Sequence, residues 1–177
     1  MNPFWRAKNK VNTPKKTLII IDMQESFVSS ADRIAGTVCG LVRHAKKEQW
    51  PIIIVEITFS GKTLQPILEE IGPSYELVAR VQKSKMDGGA EIIECIEELS
   101  WPLHTVVCGV YGDQCVSHTV SGLFENSSLV EVDVVTDAVD PGYISRCNFR
   151  DGEREVVSTE IIDHNIVLPN VWVVNRS

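Results

Sequence analysis

The chain predicts an α/β fold, a three-layer α/β/α sandwich around a six-stranded, mostly parallel sheet. Three observations carry that expectation. Apolar runs of strand length alternate with amphipathic segments of helical period. The runs are continuously apolar rather than alternating, as expected of strands covered on both faces. Apolar residues make up 44% of the 177-residue chain and charged residues 23%, enough for one sizeable core.

The elements follow in order. Residues 17–22, Thr-Leu-Ile-Ile-Ile-Asp, read as a buried strand ending in an acid. Residues 31–49 read as a helix with Ile34, Val38, Leu41, Val42 and Ala45 on one face. Pro51 precedes a second buried strand at 52–58. Residues 60–75 hold Gly61, Pro66, Gly72 and Pro73, so they read as loop with at most one short helix. A third strand is expected at 77–81, and a clear amphipathic helix at 90–99 is stopped by Trp101-Pro102. Strand four covers 105–110, with its helix beginning near Cys115. Residues 129–136, rich in β-branched side chains, give strand five. The Asp-, Gly- and Pro-containing stretch 137–152 reads as a loop, 153–166 as a last helix and 171–174 as a short sixth strand.

The N-terminal residues 1–16 carry five basic residues and no acid, a basic, flexible lead-in to a single domain over 17–177. That lead-in lacks the apolar core of a secretory signal, and no apolar run is long enough to span a bilayer. A net charge of −7 argues against nucleic acid or an anionic membrane as partner. Five cysteines, an odd number without a C-x-x-C pair, fit neither a disulfide framework nor structural zinc and suit a reducing cytoplasm. No Gly-rich phosphate loop is present, so no organic cofactor is indicated.

In such a fold the crevice lies at the carboxyl ends of the strands. Asp22, Lys83 and Cys115 fall at the ends of strands one, three and four. Cys115 sits at a strand-to-helix junction, where backbone N–H groups and the helix dipole favour a thiolate. Asp22 supplies a base and Lys83 an ammonium that stabilises both charges. Bland readings stand beside these: Asp22 as a cap, Lys83 with Lys85 as solvated surface, Cys115 as packing. His118, three residues past the cysteine, is read as structural rather than as half of a Cys-His dyad. His44 and His104 have no second ligand beside them in the sequence. Cys39, Cys95 and Cys108 read as packing; Cys147 lies in the expected loop, where a redox-sensing role would need it near a partner thiol.

These residues resemble a known family. Asp22-Met-Gln24-Glu-Ser-Phe27, Val81-Gln-Lys83 and Gly109-Val-Tyr-Gly-Asp-Gln-Cys115-Val-Ser-His-Thr119 match, in order, the motifs of the isochorismatase-like cysteine hydrolases. That family includes nicotinamidases and N-carbamoylsarcosine amidohydrolase. The resemblance spans about residues 17–174 and implies an isochorismatase-like topology with Asp22, Lys83 and Cys115 as catalytic triad. It also implies a cis peptide between Val110 and Tyr111 at an oxyanion corner, and self-association into a homo-oligomer. Gln24, Phe27, Phe59 and Tyr143 are expected to line the substrate pocket, with packing the equal alternative for each. The expected activity is cleavage of a small amide-like substrate through a thioester. The alternatives are a non-amide substrate of isochorismatase type, or a binding protein that kept the fold and lost turnover. The chain departs from nicotinamidases after strand two. Glu56-Ile-Thr58-Phe59 replaces their Asp-x-His metal site, so no metal is expected. Gly112 stands where Thr is common, and Gly88-Gly89 where relatives usually carry an aromatic.

Overall fold

A chain alternating between apolar strands and one-faced helices must bury each helix against a sheet, and the computed structural model shows how this one does so. It describes residues 14–140 together with the strand segments Arg154–Glu155, Ile161–Asp163, Ile166–Leu168 and Val171–Val174. Strand β1 (Thr17–Ile21) is wholly buried, and β2 (Ile52–Ile57) nearly so. They pair in parallel in the middle of the sheet. Strand β3 (Val78–Lys83) extends one edge, while β4 (His104–Val110) and β5 (Glu131–Asp140) extend the other, all parallel.

Helices α1 (Val28–Lys47) and α2 (Gln65–Ile71) cover one face, and α3 (Gly89–Glu98) and α4 (Ser117–Asn126) the other. The α1 stripe of Ile34, Val38, Leu41, Val42 and Ala45 packs on Leu18, Ile20, Ile52 and Ile54. Ile92, Ile93, Ile96, Val120 and Leu123 pack on Ile19, Ile21, Ile53 and Val107. Successive residues of each central strand therefore feed opposite cores, which is why these strands are apolar without alternation. Burying a side chain of this size contributes about 1.5–3 kcal/mol, so the two cores hold the layers together.

The three-layer α/β sandwich is as expected; its far edge differs. The large sheet has seven strands in the order β3-β2-β1-β4-β5-β9-β6, where β6 is Arg154–Glu155 and β9 is Val171–Val174. Strand β9 runs antiparallel to β5, and β6 antiparallel to β9. Between them β7 (Ile161–Asp163) and β8 (Ile166–Leu168) form a separate antiparallel pair. The helix expected at 153–166 is thus overturned. Its apolar residues Ile161, Ile162 and Ile166 are β-branched, and with Asn165 between Asp163 and Ile166 they suit a hairpin better than a helix. Strand β5 also runs on to Asp140, into residues expected to be loop.

From β1 the chain crosses to β2 and β3 on one side and later to β4 and β5 on the other. The order reverses between β1 and β4, which opens a crevice beyond their carboxyl ends. Asp22 follows β1 there, and Cys115 follows β4. Gly109, at φ 128° in β4, is what lets these two strands close up. A Cβ on it would sit 2.0 Å from the Ile21 carbonyl oxygen.

Candidate active site

Asp22 terminates β1 with φ 52°, a left-handed conformation uncommon for a non-glycine residue. Its N–H donates to the Val55 carbonyl at 2.9 Å, and its own carbonyl accepts the Gln24 N–H at 2.8 Å. The tight turn leaves the carboxylate 1% exposed beneath the crevice. Lys83 ends β3 and is equally buried, whereas its neighbour Lys85 is exposed. Its Nζ lies 2.8 Å from Asp22 Oδ2 and donates to the carbonyls of Lys85 at 3.2 Å and Met86 at 3.0 Å. An ammonium has three hydrogens, and here three acceptors surround it. Charge holds the pair, and carboxylate lone pairs remain open to a proton.

Cys115 lies in a π-turn, Gly112–Val116, that links β4 to α4. The Tyr111 carbonyl accepts the N–H groups of Gln114 at 3.1 Å and Val116 at 3.0 Å, which tightens the turn and tucks the sulfur inward. The thiol is buried and within hydrogen-bonding reach of Asp22. The peptide between Val110 and Tyr111 is cis, and the Tyr111 ring stands edge-on to Phe27 with centroids 5.7 Å apart. Asp140, opposite Val110 in the β4–β5 ladder, is gripped at both oxygens by Arg33 of α1.

Burial dominates the titration of this cluster. It lifts Asp22 above the ordinary carboxylate range, against the pull of Lys83 and of the Cys115 thiol. Burial, then the hydrogen bond and charge of Asp22, push the Cys115 thiol up to about 11, with Lys83 opposing. The resting thiolate expected from the helix end is therefore corrected. The cysteine is neutral at rest first because it is buried and then because Asp22 faces it. Asp22 is the proton acceptor nearest in this cluster to the neutral thiol.

The structure sorts the other expected residues. Phe27 packs on the core beneath Tyr111. Gln24 is buried and engaged: its amide donates to Ile57 and Gly61 carbonyls at 3.1 and 2.8 Å, and its oxygen accepts the Ile57 N–H at 2.8 Å. It holds the turn after Asp22 rather than reaching outward. Phe59 is fully exposed at φ 66°. Tyr143 and Cys147 lie outside the described residues. Glu56, in place of a metal ligand, is buried and accepts hydrogen bonds from Thr63, Arg80 and Gln82. Among the described residues no three His, Cys, Asp or Glu side chains converge as a metal site. Gly88 and Gly89 answer to packing. A Cβ on Gly88 would press on Lys83 Cδ at 2.9 Å, and one on Gly89 would strike the Gly122 carbonyl carbon at 2.2 Å.

With that geometry in view, comparison with known proteins is informative. A family model described as the isochorismatase domain matches residues 16–144. The chain belongs to the isochorismatase family. No curated protein sequence matches it. Solved structures share the fold. The MAR1 ribonuclease of Caenorhabditis elegans superposes with a TM-score of 0.62 at 23% identity, over 78% of this chain and 71% of that one. A nicotinamidase from Staphylococcus aureus gives 0.61 at 17%, over 77% and 90%. The N-carbamoylsarcosine amidase of Thermoplasma acidophilum gives 0.59 at 20%, over 76% and 91%. In this isochorismatase-family chain, the feature sequence reasoning missed is the bracing of Lys83. Carbonyls of its own loop accept from it, the buried Thr119 donates to one of those carbonyls, and only the threonine was visible, as a motif letter.

Proposed function

We propose that this isochorismatase-family hydrolase cleaves the C–N bond of a small amide-like substrate through a Cys115 thioester. The observation that supports this most is the meeting of a buried thiol, a buried carboxylate and a buried ammonium beyond β1, β3 and β4. Asp22 takes the Sγ proton as the sulfur attacks the carbonyl carbon. The oxyanion that forms is received by backbone N–H groups at the Val110, Tyr111 and Cys115 corner. The tetrahedral intermediate expels the amine, which carries away the proton held by Asp22, and the thioester remains. A water then gives a proton to Asp22 and its oxygen to the acyl carbon, releasing the acid, and the sulfur recovers the proton. Lys83 keeps Asp22 anionic before attack and balances the sulfur's charge after it.

Names of fold neighbours agree only on hydrolysis, and one is called a ribonuclease. A nucleic-acid substrate fits poorly with a net charge of −7 and a nucleophile 7% exposed. A small molecule fits better. Self-association belongs to the same reading, since an Escherichia coli fold neighbour is described as an octameric hydrolase; size-exclusion chromatography with light scattering checks it. Free Cys39, Cys95, Cys108 and Cys115 suit a reducing compartment such as cytoplasm. No described helix is long and apolar enough to cross a membrane.

The deciding experiment incubates the intact protein with a panel of small amides and weighs it. An acyl adduct that maps to Cys115 and is absent from Cys115→Ala is expected. Unchanged hydrolysis by Cys115→Ala would end the thioester reading.

A further inference from the structure

Thr119 lies one helical turn beyond Cys115 on the same buried side of the chain and is itself fully buried. A helical threonine commonly turns its hydroxyl back to a carbonyl three or four residues earlier. This one reaches out of its helix. Its Oγ1 donates to the Met86 carbonyl at 3.3 Å and accepts the Gly88 N–H at 3.2 Å. The same Met86 carbonyl accepts Lys83 Nζ at 3.0 Å. One oxygen atom therefore joins the segment that carries the sulfur to the ammonium that answers its charge. The loop backbone sits hard against the lysine stem as well, since a Cβ on Gly88 would come within 2.9 Å of Lys83 Cδ.

We propose that Thr119 is a positioning residue whose hydroxyl, through the Met86 carbonyl, fixes where the Lys83 ammonium stands relative to the Cys115 sulfur. It touches no reacting atom. The inference rests on the cysteine-hydrolase reading, because it concerns how Lys83 acts on that thiol. Without the hydroxyl, the Met86 carbonyl and Gly88 N–H each lose a buried partner. The loop then shifts to find others and carries the ammonium with it. An ammonium farther from the sulfur stabilises the thiolate less.

The test follows alkylation of Cys115 by iodoacetamide against pH, read by peptide mass, in the full chain. Wild type is compared with Thr119→Ser, Thr119→Val and Lys83→Met, each checked for a cooperative unfolding transition. Thr119→Val is expected to move the thiol profile to higher pH, in the direction of Lys83→Met, slowing labelling about threefold or more near neutrality. Thr119→Ser, which keeps the hydroxyl, should follow wild type. Thr119→Ala replaces the valine variant if that one does not fold. If Lys83→Met moves the profile and Thr119→Val does not, the positioning role is overturned and the hydrolase reading stands. A shift in Thr119→Ser equal to that in Thr119→Val overturns it too, because packing and not the hydroxyl would then be responsible. A profile indifferent to Lys83→Met removes both this role and the charge-holding role of Lys83.

Discussion

At the scale of single residues, burial sets the titration of the site first, and the charges beside the sulfur adjust it. Asp22 raises the Cys115 thiol through its hydrogen bond and its charge, and Lys83 lowers it. Replacing Asp22 by Asn removes both upward influences of the carboxylate and leaves the ammonium. Turnover should be lost, for want of a proton acceptor, by about 10²-fold or more. Alkylation of Cys115 should nevertheless be as fast as in wild type or faster, because the thiolate is easier to form. A labelling rate that falls with activity would show that Asp22 activates the resting thiol and would sink this account. In the wild type, labelling should climb with pH toward the raised value of about 11, without a plateau near neutrality. The apolar runs of β1 and β4 placed Asp22 and Cys115 at one rim of the sheet, whereas Lys83 was picked over Lys85 only through the resemblance to the family motif. What surrounds Phe59 was not legible, since the setting of a loop side chain depends on neighbours that no local pattern encodes. Thr119 had a visible position and an invisible role: its partner carbonyl is 33 residues away in sequence.

At the scale of elements, close approach rather than propensity decides what the glycines tolerate. Gly36 is exposed inside α1, with nothing within 4 Å of where a Cβ would stand. Gly36→Ala should therefore stabilise the protein by about 0.5–1 kcal/mol, the ordinary helix-interior difference. Gly89 begins α3 where that helix meets α4, and a Cβ there would lie 2.4 Å from the Leu123 amide nitrogen. Gly89→Ala must separate two packed helices, and a loss of about 2–4 kcal/mol is expected. Denaturant midpoints of the two variants, on opposite sides of wild type, are the check. Equal shifts would mean that the helix pair yields at little cost. The five parallel strands and the helices α1 and α3 were readable because their periods are strong and their ends carry Pro or Gly. Of the antiparallel edge, only Val171–Val174 was readable as a strand. Residues 153–166 mix acids and β-branched residues in a spacing that satisfies a helical period, and only pairing with a neighbouring strand settles it.

At the scale of the whole molecule, the two ends of the sheet do different work. The candidate site gathers at the carboxyl ends, while the amino ends carry a charged tie. There Asp133, 4% exposed in β5, accepts from Lys16 Nζ at 2.6 Å and contacts His104 Nε2 at 2.8 Å, while Glu131 lies 3.1 Å from His104 Nδ1. Lys16 also stands over the Trp50 ring, so the residues entering β1 are fastened to both sides of the sheet. Burial alone would raise Asp133, but hydrogen bonds from His104 and Lys16 and their charges bring it below the usual carboxylate range. A carboxyl depressed in the folded state binds protons more readily once unfolded. Its contribution is complete above the unfolded value of about 3.9 and is lost as pH falls through the lower folded value. Asp133→Asn should accordingly cost about 2 kcal/mol near neutrality, and the gap from wild type should close as the solution is acidified. Urea unfolding at a series of pH values measures this. A deficit that stays constant down to the acid end would assign the loss to packing instead of charge. Because the tie and the thiol sit at opposite ends of the strands, the same variant should leave the pH profile of Cys115 alkylation where it is. Movement of that profile would mean that the sheet transmits strain along its full length, and the division of labour between its ends would have to be abandoned.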